Sequence, residues 1–110
     1  MNRWNIPIDV EREVTARDAE CAYCRSPFSG LGGPFKSRPS WEHIVNDLAQ
    51  VSATNIVLCC VACNSSKGAR PIVAWLRSSY CGKRGITEDS VSPVVRAVIL
   101  GAALGPTGGA

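Results

Sequence analysis

Residues 59–68 read CCVACNSSKG, three cysteines within five positions followed by Asn64 and closed by Lys67-Gly68. The apolar run NIVLCCV at 55–61 leads into it and has the length and β-branched content of a strand. A metal gripped by Cys60 and Cys63 would fix the start and direction of a short helix over CNSSKG, ending near Gly68. Asn64 and Lys67, spaced i and i+3, would then share one face of that helix.

A second pair with the same spacing, Cys21-Ala-Tyr-Cys24, lies upstream. Two C-x2-C pairs commonly assemble one tetrahedral Zn²⁺ site, so Cys21, Cys24, Cys60 and Cys63 are the expected zinc ligands. A redox pair would sit in a βαβ pattern, which neither has. Ordinary buried cysteines are the plainer alternative. Cys59 and Cys81 are left over, and strand alternation points Cys59 away from Cys60, into the core.

The 110 residues suit one domain, small enough for a metal staple to matter. The first 20 residues carry Arg3, Asp9, Glu11, Arg12, Glu13, Arg17 and Asp18, so they contain no apolar stretch of a secretory signal. The weakly polar run from Val94 to Leu104 is far short of the ~20 residues needed to span a bilayer. A cytoplasmic protein with no membrane partner is therefore expected, and in a reducing compartment six cysteines point to metal or catalysis.

Charge is segregated. Five of nine acids precede residue 21, whereas between Cys21 and Ile86 only Glu42 and Asp47 oppose eight basic residues. That basic middle suits a polyanion, although a solvated basic face would look the same. Four thiolates around Zn²⁺ carry a formal charge of about −2, which would lower the net +3 to about +1.

The remaining pattern predicts a helix near 10–18 with Asp9 as N-cap and a Gly/Pro/Ser-rich loop over 26–40. A strand is expected at WEHIV, then a helix over PIVAWLRSSY with Pro71 in its first turn. A last helix should run from Pro93 to about 103 with Ser92 as N-cap. This divides the chain into a helical lead-in at 1–20, a core at 21–70, C-terminal helices at 71–104 and a disordered tail at 105–110. The only histidine, His43, follows Glu42, and Asn55 opens the apolar run. A carboxylate, an imidazole and two amides can thus converge beside a cysteine knuckle. Taken alone, a single His among apolar residues is more often structural.

In order, CAYC, EH, TNIVLC and CVACNSSKG over residues 21–68 resemble the HNH nuclease family. PIVAWLRSSY is similar to the helix that follows in small members. The resemblance implies a small α+β fold, the ββα-metal or His-Me finger core with a four-Cys zinc site and flanking helices. It implies a metal-dependent endonuclease that nicks or cuts duplex DNA, leaving a 5′-phosphate and a 3′-hydroxyl. His43 would be the general base, Asn55 would orient its ring, and Glu42 with Asn64 would hold a catalytic Mg²⁺ or Mn²⁺. Lys67 and Arg70 would contact the DNA backbone. The chain departs from the pattern in having Glu42-His43 where many members have Asp-His, and IVNDLAQVSA where Pro and Gly-Gly often follow the His. A zinc-stapled nucleic-acid-binding module without catalysis is the alternative. Action as a homodimer or beside a protein partner is compatible with so short a chain. An interaction helix built on Val94, Val95, Val98 and Ile99 is the third reading, with ordinary core as its plain counterpart.

Overall fold

A computed structural model describes residues 4–30 and 32–104, with side chains as far as residue 101. The tail expected at 105–110 lies outside the described residues. The fold is a small α+β arrangement. Helix α1 (Ile8–Arg17) comes first, then a 3-10 turn (Phe35–Ser37) leads into strand β1 (Pro39–His43). Strand β2 (Ile56–Cys60) runs without interruption into α2 (Val61–Lys67), and α3 (Ile72–Leu76), α4 (Ser79–Arg84) and α5 (Pro93–Leu104) follow. No helix among the described residues is long and apolar enough to cross a membrane.

The strands form a two-stranded antiparallel sheet whose register pairs Pro39 with Cys60 and His43 with Ile56. Every residue of β2 is buried, because this strand is covered on both faces. Such burial explains why its sequence is a continuous apolar run instead of an alternation. One face meets a core built on Tyr23, Ile44, Val57, Cys59, Trp75 and Val95. The other meets a smaller cluster of Ile6, Val14, Ile56 and Leu58, which docks α1.

Polar contacts fix that docking. Arg17, at the end of α1, donates to the Ala53 and Ile56 carbonyls at 2.7 and 2.9 Å, and Asp18 accepts from the Leu58 amide at 3.0 Å. Both residues therefore pair backbone groups of the β2 segment that the short sheet leaves without a strand neighbour.

Several expected boundaries move. Helix α1 starts two residues earlier than predicted, behind Pro7, and no side chain caps it, so Asp9 lies within its first turn. The stretch expected as one helix from Pro71 breaks at Ser78, whose hydroxyl accepts from the Cys81 amide and caps a new helix, α4. Ser residues compete for backbone donors in this way, and apolar spacing alone does not reveal it. Ser92 precedes α5 but does not cap it through its side chain. Its Oγ is buried without a partner, while its amide donates to the Ala22 carbonyl at 2.8 Å. Helix α5 buries Val95 and Ile99, so its apolar face is core. Gly68 (φ 53°, ψ −132°) ends α2 in a conformation that side chains rarely adopt, and Gly85 (φ 67°) ends α4 in the left-handed region.

Candidate functional site

The two C-x2-C pairs come together. The sulfurs of Cys21, Cys24, Cys60 and Cys63 all lie within 4.8 Å of one another, with Cys24 and Cys60 3.9 Å apart. Four sulfurs at ~2.3 Å from a tetrahedral Zn²⁺ stand about 3.8 Å apart, so the cluster has the size of a zinc site. Its surroundings are those of thiolates. The Tyr23 and Cys24 amides point at Cys21 Sγ and the Cys63 amide at Cys60 Sγ, each at 3.4 Å, while the Tyr80 hydroxyl donates to Cys63 Sγ at 3.3 Å. Crowding splits the four titrations. Cys60 is pulled down to about 7, first by the Cys21 sulfur, and Cys24 is lowered, again first by Cys21. Cys21 and Cys63 are raised, each most by a neighbouring cysteine of the cluster. A dication that binds thiolates would draw off the remaining protons. Four cysteines are thus positioned to bind a metal ion, consistent with structural zinc. Cys59 is fully buried, and burial pushes its thiol well up, as expected of a core residue.

Cys60 is both the last residue of β2 and the cap of α2. The cysteine cluster therefore sets the helix that carries Asn64 and Lys67. Asn64 Nδ2 donates to Ser40 Oγ at 3.0 Å and to the Trp41 carbonyl at 3.1 Å, tying α2 to β1. One turn on, Lys67 reaches inward. Its side chain is fully buried, with Nζ 3.2 Å from Glu42 Oε2, and the same oxygen accepts from the Tyr23 hydroxyl at 2.9 Å. Burial raises the Glu42 pKa, and Lys67 and Tyr23 oppose the rise.

His43 closes β1 and faces a different environment from Glu42, as neighbours on a strand must. Its Nε2 is buried with no hydrogen-bond partner among the described residues. Burial lowers its pKa; Asp47 opposes this and Lys67 reinforces it, so the neutral ring is favoured at neutral pH. Asn55 does not bond the ring. It accepts from the Val45 amide at 2.8 Å and donates to the Val45 and Gln50 carbonyls at 3.1 and 3.0 Å, closing the loop that follows His43.

At the β1–α2 interface Lys67 therefore meets Glu42 and Asn64 meets Ser40 and Trp41, while Asn55 braces the segment leaving His43. Arg70 is exposed and folds back onto the Ser66 carbonyl at 2.6 Å. The resemblance gave Lys67, with Arg70, a contact to the DNA backbone, whereas its ammonium is the partner of Glu42. Sequence reasoning also passed over Tyr23 and Tyr80, since a tyrosine inside a knuckle or a later helix carries no spacing signal. A buried Tyr needing a hydroxyl partner was the available clue.

Part of the chain is similar to a known protein. Over 71 residues, 62% of the chain, it is 32% identical to a protein of Corynebacterium diphtheriae named CRISPR-associated endonuclease Cas9. The matched segment is 6% of that much longer protein. No protein-family profile matches the chain. No solved structure matches it significantly.

Proposed function

We propose that this chain is a metal-dependent endonuclease of the HNH type, acting on duplex DNA through a ββα-metal core formed by β1, β2 and α2. The observation that supports this best is the imidazole of His43. It is biased toward its neutral form, ends a strand, and has a buried ring nitrogen without a protein partner, which leaves that nitrogen's hydrogen-bonding capacity free for a water brought in with the substrate. The partial similarity to a protein named an endonuclease points the same way.

In this reading His43 activates the attacking water and Asn55 holds the His43–Val45 segment in place. Glu42 and Asn64 offer a carboxylate and an amide oxygen, the hard donors that suit Mg²⁺ or Mn²⁺. Such an ion, when bound, would stabilise charge on phosphate and on the leaving 3′ oxygen. Lys67 competes for the same carboxylate. Arg70 remains the exposed candidate for a phosphate contact.

One observation favours the second reading, a zinc-stapled nucleic-acid-binding module without catalysis. Glu42 already has a cation and a hydroxyl, and both are buried with it. Plasmid nicking by the wild type and by His43→Ala, with Mg²⁺ or Mn²⁺, decides between the two.

A further inference from the structure

Beyond the Pro39 end of β1, the end away from His43, the chain forms a concave feature. A cleft of about 250 Å³ lies between the 3-10 turn, α2 and α4. Phe35 and Lys36 line one side, Tyr80 and Arg84 the other, and Val61 and Ser65 of α2 the floor. No acidic residue lines it. Phe35 is 65% exposed, so its ring is open to a ligand. Lys36 and Arg84 form no ion pair among the described residues, whereas Arg17, Arg25, Lys67 and Arg96 all do. Both rings carry a guanidinium, Arg84 at 4.0 Å from the Tyr80 centroid and Arg38 at 5.9 Å from that of Phe35.

An exposed ring flanked by cations that no carboxylate neutralises is the combination that holds single-stranded nucleic acid: the ring offers a stacking face to a base, and the cations meet the phosphates. We propose that this cleft binds an unpaired nucleotide of a nucleic-acid strand, with Phe35 stacking on the base and Lys36 and Arg84 contacting the flanking phosphates. Its walls hang on the cysteine cluster. Helix α2 starts at Cys60, and Tyr80, the ring under Arg84, is bonded to Cys63. This inference rests on the chain being a nucleic-acid protein but not on cleavage at His43.

The test is fluorescence anisotropy of a labelled oligo-dT with the zinc-loaded chain, without added Mg²⁺ or Mn²⁺. Phe35→Ala should weaken binding about 5-fold or more, and Phe35→Trp should retain it, since stacking contributes ~1–3 kcal/mol per base. Lys36→Ala combined with Arg84→Gln should reduce the salt slope by about 1.4, two contacts at ~0.7 each on single strands. Zinc content and circular dichroism control for folding, and Phe35 is exposed enough that its loss leaves no core void. No binding of oligo-dT by the wild type, unchanged affinity in Phe35→Ala, or equal competition by polyglutamate would overturn the proposal. A chain that binds oligo-dT through these residues yet nicks no duplex keeps the cleft and loses the nuclease reading. One that nicks duplex but ignores all three substitutions does the reverse.

Discussion

Tyr23, between the two cysteines of the first knuckle, donates its hydroxyl to Glu42 at 2.9 Å. The cysteine cluster and the carboxylate of the proposed site are thus linked by a single side chain. Lys67, carried by the helix that starts at the second knuckle, completes the link from the other direction at 3.2 Å. Neither knuckle can shift without moving a partner of Glu42.

The first prediction concerns that buried pair. Lys67→Met leaves Glu42 without its cation in a site where Lys67 is fully buried, so it should cost about 3–5 kcal/mol of stability. Tyr23→Phe removes one hydrogen bond and should cost about 1 kcal/mol. Urea denaturation of zinc-loaded protein reads both. A Lys67→Met loss no larger than that of Tyr23→Phe would show that the ammonium is not the main partner of Glu42.

Zinc is the second. Elemental analysis should return one Zn²⁺ per chain, lost in Cys63→Ala together with the fold, because a structural site supplies roughly 10–16 kcal/mol. Cys59→Ala and Cys81→Ala should keep the metal, since both thiols sit in the core away from the cluster. Folded metal-free protein would count against a structural site.

Asn64→Ala should act twice. Losing its bonds to Ser40 and Trp41 frees α2 from β1 and should cost about 1–3 kcal/mol. Losing its amide oxygen should raise the Mg²⁺ or Mn²⁺ concentration needed for cleavage. A stability loss with unchanged metal dependence would confine Asn64 to a structural role. Glu42→Asp is the companion variant, expected to preserve or improve activity if the carboxylate holds the ion.

The pH dependence has a definite sign. His43 is lowered from 6.5, so its contribution to stability is complete above about 6.5 and is lost as pH falls toward the folded value. Glu42 is raised from 4.5, so its contribution is complete below that and is lost as pH rises through the folded value. Glu42→Gln should therefore flatten the decline with rising pH, and His43→Ala the decline with falling pH. Cleavage should hold level from neutrality to below pH ~6.5 before its acid limb begins. A midpoint above 6.5 would contradict the burial of this ring.

The cysteine pairing was legible because a metal imposes short, repeated spacing on the chain, and the strand-knuckle-helix run at 55–68 followed from it. The direction of Lys67 was not legible. Position i+3 from Asn64 shows which face of α2 it occupies, but only the packing of α2 on β1 turns that face inward onto Glu42. The break at Ser78 was hidden for a related reason: PIVAWLRSSY keeps helical spacing, and one hydroxyl bonded to the Cys81 amide restarts the helix. Asn55 was expected to orient the His43 ring, whereas its partners are backbone groups of the loop at 44–55, which no local pattern specifies.

His43→Ala is the substitution that tests the central claim most directly, because it removes the proposed base and touches neither the cysteine cluster nor the Glu42–Lys67 pair. Nicking of supercoiled plasmid is measured with Mg²⁺ or Mn²⁺, beside zinc content and DNA affinity. The account predicts a mutant that keeps its zinc and its DNA binding while nicking falls by about two to four orders of magnitude. Equal nicking by wild type and His43→Ala, or none by zinc-loaded wild type across several divalent ions and duplexes, would contradict it.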